Sequence, residues 1–396
     1  MRLAEVLSVL DQWFDPSWAE SWDAVGLVCG DPDAPIERVL LAVDPVPEVV
    51  AEAERADAQL LVTHHPLLLS GVHGVPTTDP KGALVHRMIR SGVAHLVAHT
   101  NADVADPGVS DALAGLFGLT GTRPVDVRGE PGVDKLVVFV PVADAQRLLD
   151  ALAAAGAGRI GDYDRAAWWT EGIGTFRPLP GANPAIGSVG DIETVPEIRL
   201  ETVVPRSRRD AVITALRATH PYEEPAFDLL VQAPLPTRRG AGRVGDLPEP
   251  VTLRAFTERA AAVLPATRWG VRAAGDPERI VRTLAVSGGS GASYTELARR
   301  AGADVFLASD FKHHQVSEAV AERGGDGMAL VDAAHWATEA PWLDALAGRL
   351  RDRFGTKLEV LVSRRVTDPW TLHAASPGPV PITSQESSQE SSPNSQ

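Results

Sequence analysis

Three groups of side chains in this sequence have the types and the spacing to bind divalent metal ions: His64 with His65, then His99, Asn101 and Asp103, and finally Asp332, His335 and Glu339. Neutral imidazole suits zinc, iron, nickel or copper, and a carboxylate can bridge two cations and lower their mutual repulsion. His335 and Glu339 are four residues apart, so on a helix they project from one face and can grip the same ion or adjacent ones. A set of five such donors with a bridging carboxylate suits a pair of ions. Taken singly, each group has an ordinary reading as well. A histidine is more often a surface or hydrogen-bonded residue than a ligand, and a His-x-x-x-Glu pair on a helix is commonly a mild side-chain interaction. What joins the groups is where they fall in the expected secondary structure.

Apolar periodicity predicts a strand over 38–44, a helix over 47–58, a strand over 59–63, a helix over 81–91, a strand over 94–98 and a helix over 109–116. In open α/β sheets, ligands bind beyond the carboxyl ends of the strands. His64 and His65 directly follow the strand 59–63, the His99–Asp103 group follows 94–98, and Asp332 and His335 follow a strand at 328–331. One sheet edge could gather all three.

A Gly-, Pro- and charge-rich stretch at 121–134 marks a boundary. Beyond it a strand at 135–142, a helix at 143–155, a strand at 197–204, a helix at 208–218 and a strand at 226–231 suggest a ferredoxin-like sandwich. After the Pro- and Gly-rich residues 234–250, alternation returns with strands at 282–287, 304–307, 328–331 and 357–362. The expected fold class is therefore α/β: a layered α/β domain formed by the N- and C-terminal segments, with an inserted ferredoxin-like α+β domain and a disordered C-terminal tail. The expected boundaries are 1–125 and 246–372 for the two halves of the metal-binding domain, 126–245 for the insert and 373–396 for the tail. Two independent α/β domains are the alternative. The tail is nearly all Ser, Gln, Glu, Pro and Asn, too polar to offset the entropy of ordering.

With 396 residues the chain exceeds the size at which one core stops growing. No run approaches the roughly 18 consecutive apolar residues of a membrane helix, and the start of the chain lacks the pattern of a secretory signal, so a cytoplasmic protein without membrane contact is expected. Cys29 is the only cysteine, which excludes internal disulfides and cysteine-only zinc sites. The 52 acidic and 37 basic residues give a formal charge of −15, which disfavours nucleic acid as a partner.

Two further groups have chemical as well as structural readings. Ser287, Gly288, Gly289 and Gly291 follow a strand and open a helix, so their backbone N–H groups could cradle a phosphate, but a tight strand-to-helix turn explains them equally well and the Lys-Ser/Thr ending of a P-loop is missing. Asp310, His313 and His314 follow the strand 304–307 and could supply a group that orients a ligand or moves protons, or could simply form an exposed helix start.

These residues resemble a known family, the Nif-three-like dinuclear metal-centre proteins, or GTP cyclohydrolase 1 type 2 homologues. The resemblance runs from Leu3 to Trp370 and rests on Trp22-Asp23-Ala24-Val25-Gly26-Leu27, Thr63-His64-His65-Pro66, His99-Thr100-Asn101-Ala102-Asp103, Ser287-Gly288-Gly289-Ser290-Gly291 and Asp332-Ala333-Ala334-His335 with Glu339. It implies that His64, His65, Asp103, His335 and Glu339 hold two divalent ions, zinc or iron first and manganese or nickel as alternatives, with Glu339 as the bridge. It further implies a homo-hexameric toroid and a metal-dependent, cyclohydrolase-like hydrolase acting on a nucleotide such as GTP; the candidate catalytic residues are His314, from its place after the strand 304–307, and Glu339. A two-metal phosphoesterase and a non-catalytic metal-binding regulatory protein are the other readings. The middle segment is similar to the family's insert through Ile160-Gly161-Asp162-Tyr163-Asp164, Gly172-Ile173-Gly174-Thr175-Phe176 and His220-Pro221-Tyr222-Glu223-Glu224-Pro225, the last of which reads as packing rather than as a second ligand site. Ala24 stands where many members have Asn, and Ser287 where Cys is frequent; neither is among the five ligands.

Overall fold

A computed structural model describes residues 1–129, 132–233, 237–321 and 327–374. From residue 375 onward, the expected tail lies outside the described residues. The chain divides into two compact units: Met1–Asp103, Pro107–Thr122 and the chain from Gly242 onward form one, and Val104–Asp106 with Arg123–Ala241 form the other.

The first unit holds two sheets. Strands Arg38–Ala42, Leu60–Thr63 and Ala94–Val97 run parallel in a five-stranded sheet, with Gly26–Cys29 antiparallel at one edge and Glu359–Val362, from the far end of the chain, parallel at the other. Every residue of Leu60–Thr63 is buried, as a central parallel strand covered on both faces requires. Leu61 packs with Val49, Val50 and Ala53 of the helix Pro47–Arg55 and with Val85 and Met88 of the helix Pro80–Arg90. Truncating such a fully buried leucine to alanine costs about 2–5 kcal/mol. Register then fixes the working edge: Ala42 lies beside Thr63 and Thr63 beside Val97, so the chain leaves all three strands at the same level.

The second sheet has the order Val271–Ala274, Ala329–Ala333, Val305–Ser309, Ile280–Ser290, Arg243–Thr252 and Thr120–Arg123. Its three strands Ile280–Ser290, Val305–Ser309 and Ala329–Ala333 form two parallel pairings, with Ser290 level with Ser309 and Ala308 level with Asp332. Each sheet therefore takes an edge strand from the opposite half of the chain: Glu359–Val362 joins the first, Thr120–Arg123 the second. The helix His335–Phe354 packs against strands of both sheets, which is how its first turn comes to face the ends of the N-terminal strands. Among the described residues no helix is long and apolar enough to cross a membrane.

The second unit is built in the order β-α-β-β-α-β, the ferredoxin-like arrangement. Its sheet order is Phe227–Val231, Val133–Pro141, Glu193–Pro205, Ala167–Phe176, antiparallel throughout. Helices Ala145–Ala154 and Arg209–Thr219 cover one face through Leu148, Leu152, Val212 and Leu216, packed on Leu136, Val138, Ile198 and Leu200. The strand Ala167–Phe176 has no counterpart among the expected elements. It is an exposed edge strand with glycines at 172 and 174, so it shows neither the apolar alternation nor the composition that marks a strand in sequence.

Candidate metal centre

Strand ends deliver most of the histidines. His64 and His65 directly follow Leu60–Thr63, and His99 follows Ala94–Val97 by one residue. Asp103 ends the short helical turn Thr100–Asp103, and His335 and Glu339 occupy the first two turns of His335–Phe354. The donor atoms of all but Asp103 fall into two overlapping groups, His64–His65–His99 and His65–His335–Glu339, each within 4.8 Å.

Each imidazole is held in one orientation. His64 Nδ1 lies 2.9 Å from the Ala98 carbonyl oxygen, which can only accept, so Nδ1 carries a proton and Nε2 is the nitrogen left to bind an ion. The same reasoning holds for His65 against Asp44 Oδ1 at 2.7 Å, His99 against Asp23 Oδ1 at 2.8 Å and His335 against Asp310 Oδ2 at 2.7 Å. An oxygen on Nδ1 with Nε2 turned inward is the usual setting of a metal-binding histidine. Glu339 sits between the rings: Oε1 is 3.0 Å from His335 Nε2 and 3.3 Å from His64 Nε2, while Oε2 is 3.1 Å from His65 Nε2. Asp103 Oδ1 approaches His64 Nε2 at 3.7 Å.

The carboxylates favour positive charge in this cluster. Burial opposes charge on the histidines, yet the carboxylates around them outweigh it: His64 is raised, His65 reaches about 10 and His335 about 11, with Glu339 the largest opposing influence in each. Burial alone would raise the Glu339 carboxyl, but facing His65, His335 and His64 hold it well below the usual carboxylate range. His64 Nε2, Asp103 Oδ1 and Glu339 Oε2 are buried without a hydrogen-bond partner. Buried polar atoms are normally paired, and three orphans in one cluster fit a bound divalent ion.

Close packing around Glu339 accounts for the glycine run. Gly289 has φ +65°, and a Cβ there would lie 2.5 Å from Glu339 Oε1 and 2.9 Å from His335 Nε2. The N–H groups that a phosphate would need are already donated, Gly288 to Ser110 Oγ at 3.4 Å, Gly289 to Thr338 Oγ1 at 2.9 Å and Gly291 to the Ser309 carbonyl at 3.1 Å. Ser287 is buried, and its hydroxyl donates to the Gly288 carbonyl.

The five ligands expected from the sequence come together here, and the cluster also contains residues that the expectation lacked. His99 belongs to one of the two donor groups, although the sequence placed it only near the site. Asp44 and Asp23 orient His65 and His99, and no spacing rule in the sequence links them to those rings; Asp23 does stand in the Trp22–Leu27 motif, the one available hint. Asp310, one of the expected orienting groups, is on His335. Asp332 instead pairs with Arg272 at 2.8 Å, and the Asn101 amide donates to the Phe14 carbonyl. His313 and His314 are exposed in the first turn of the helix His313–Val320, and no hydrogen bond, ion pair or ring contact among the described residues links His314 to the cluster. In the insert, His220 is buried, with Nε2 donating to the Phe139 carbonyl at 2.9 Å and Nδ1 accepting from the Tyr222 N–H at 3.1 Å, so both ring nitrogens serve packing.

The profile of the family described as Duf34/NIF3 (NGG1p interacting factor 3) matches residues 1–369. A Mycobacterium leprae protein named GTP cyclohydrolase 1 type 2 homolog is 49% identical over 374 residues, 94% of this chain and 96% of its own length. A Bacillus subtilis protein of the same name is 36% identical over 371 residues, 93% of this chain and 98% of its own. Among solved structures, a Bacillus cereus protein related to NIF3 is 33% identical with a TM-score of 0.66, covering 94% of this chain and 99% of that one. A Staphylococcus aureus protein is 26% identical with a TM-score of 0.74 and the same coverage. With the profile spanning all but the end of the sequence and these relatives nearly full length, the chain belongs to the Duf34/NIF3 family.

Proposed function

We propose that the chain is a metal-dependent hydrolase built on a dinuclear centre, with His64, His65, Asp103, His335 and Glu339 as ligands and His99 as a further donor. The observation that supports this most is the common orientation of four histidines, each donating its Nδ1–H to an oxygen and turning Nε2 into a cluster that holds the buried Glu339 carboxylate. Zinc or iron suits this donor set best, with manganese and nickel as alternatives. When bound, a pair of divalent ions supplies Lewis acidity and lowers the pKa of water toward neutrality.

The protein's own groups have separate tasks. Glu339 offers one oxygen to His64 and His335 and the other to His65, so it is placed to bridge. Asp44, Asp23 and Asp310 hold the Nδ1 protons and so fix the ring planes. Burial pushes the Asp103 carboxyl up against the pull of His64, and an ion at this position would hold it in its charged form. The name carried by the relatives makes GTP the first substrate to try. A homo-hexamer in the cytoplasm is the setting that the family resemblance supports.

The test is to load the purified chain with zinc, iron or manganese and follow GTP and a panel of phosphoesters by chromatography. GTP turnover that disappears on chelation and in Asp103→Asn supports the cyclohydrolase-like reading. Turnover of phosphoesters alone would favour a phosphoesterase. No turnover of either by the loaded chain would leave a non-catalytic metal-binding protein and contradict the hydrolase assignment.

A further inference from the structure

The face of the inserted unit's sheet opposite its helices carries a cavity of about 550 Å³, within the range of small-molecule sites. Its floor is made by the strands Glu193–Pro205 and Ala167–Phe176, where Gly172 stands directly across from Glu197 and Thr170 across from Arg199. Its roof is the loop around Pro178 to Ile186 and the turn that follows His220. The Asn183 N–H donates to Glu223 at 3.2 Å and ties the two parts of the roof together. Phe139, Phe176 and Tyr222 supply aromatic wall, with the last two edge to face at 5.4 Å.

One polar side chain in this cavity is buried and only half satisfied. Glu197 is 8% exposed, and its Oε1 accepts from the Tyr222 hydroxyl at 3.0 Å. Among the described residues, no donor reaches its Oε2. Gly174 makes the room for that oxygen, since a Cβ there would lie 2.1 Å from Oε2. Arg199, the cation of the lining, is paired with Glu201 rather than Glu197: its Nε donates to Glu201 at 3.0 Å, and its guanidinium lies 6.0 Å from the Phe139 ring centre. Glu171, Glu223 and Glu224 add exposed carboxylates to the lining. A buried carboxylate with a free oxygen, apolar walls and an acidic rim is complementary to a positive charge on an apolar body and repels phosphates.

We propose that this cavity binds a small organic cation, a protonated amine or amidinium carried on a flat apolar body, with Glu197 as its counter-charge. The ligand's N–H groups take the open Glu197 oxygen, its apolar part lies against Phe139, Phe176 and Tyr222, and the glycine floor at 172 and 174 lets it approach the strand backbone. His220 is a positioning residue for this site, because it holds the Tyr222 backbone through its Nδ1. The site involves neither the metal centre nor the substrate proposed there.

The experiment is calorimetric titration of the full chain with benzamidine and with its neutral analogue benzamide. Saturable binding of benzamidine is expected, with benzamide about tenfold or more weaker, since a hydrogen bond to a charged group contributes about 1.5–3 kcal/mol. Glu197→Gln, which keeps the size and the Tyr222 contact, is expected to remove that preference while leaving metal content unchanged. Gly172→Leu fills the cavity from its floor, where nothing lies within 4 Å of an added Cβ, and is expected to abolish binding in a folded protein. Equal binding of the two probes, binding of neither, or persistence of the preference in Glu197→Gln would overturn the proposal. A change of oligomeric mass in Gly172→Leu would assign the face to a second copy of the chain and overturn it as well.

Discussion

His65 Nε2 and Glu339 Oε2 lie 3.1 Å apart, one residue following a strand of the first sheet and the other standing one turn into a helix that packs on both sheets. The other oxygen of the same carboxylate faces His64 and His335. Three imidazole nitrogens from two ends of the sequence thus meet on one buried acid.

If Glu339 bridges, Glu339→Gln should lose metal from both positions together and not from one alone. Metal equivalents per chain after dialysis measure this, and a variant that keeps its full complement would rule the bridge out.

The carboxylates on the far side of the rings should matter nearly as much. Asp44→Asn and Asp310→Asn replace a charged partner of a histidine Nδ1 by a neutral one, and each is expected to weaken metal binding by about 10- to 100-fold. Competition with a chromophoric chelator reads the affinity; unchanged values would mean that the rings need no such support.

Gly289→Ala puts a methyl group at φ +65° against Glu339 Oε1. Strain of this kind costs about 1–3 kcal/mol, and the displaced carboxylate should lower metal affinity too. Thermal melting with and without metal separates the two effects. A variant as stable and as well loaded as the wild type would contradict the close packing.

Metal uptake should release protons. Without metal, His65 and His335 are raised to about 10 and about 11, so they are protonated at neutral pH and an ion must displace those protons. Apparent affinity is therefore expected to climb as pH rises from about 6 to about 8, and the calorimetric heat should vary with the ionisation enthalpy of the buffer. A heat independent of buffer would show that the rings are already neutral.

His95 should contribute a separate, purely structural pH dependence of the same sign. It is fully buried, donates Nε2–H to Thr63 Oγ1 at 2.8 Å, and burial lowers it to about 4. Thr63 Oγ1 in turn donates to the His65 carbonyl at 2.7 Å. Because the unfolded chain takes up this proton first, stability is full above the ordinary histidine value of 6.5 and is lost as pH falls toward about 4. Denaturant unfolding across that window should show a shallower slope in His95→Gln than in the wild type; equal slopes would show that His95 is not buried neutral.

Much of the metal centre could be read from the sequence because strand ends announce themselves. The apolar runs before His64 and before His99 are strands, and chemistry placed just past a parallel strand tends to face one edge; the third run continues through Asp332, which lies inside the strand Ala329–Ala333, and only His335 follows it to the cluster. His99 was harder to recognise as a donor, because only the alignment of Thr63 with Val97 brings its ring beside His64 and His65. Asp44 and Asp23 were harder still, since nothing local distinguishes an orienting carboxylate from a solvated one. The exchange of Glu359–Val362 and Thr120–Arg123 between sheets is likewise a matter of non-local pairing. Strand Arg243–Thr252 hid inside a stretch whose Pro and Gly suggested a loop, and an edge-like partner with an irregular register from Asp246 to Val251 tolerates those residues.

The most direct measurement is elemental analysis of the purified, untagged chain beside a His64→Ala/His335→Ala double variant. About two equivalents of metal per chain in the wild type, lost in the variant, is the predicted result for a dinuclear histidine and carboxylate site. Absence of metal from the wild type even after reconstitution with zinc, iron or manganese would show that the cluster around Glu339 is structural.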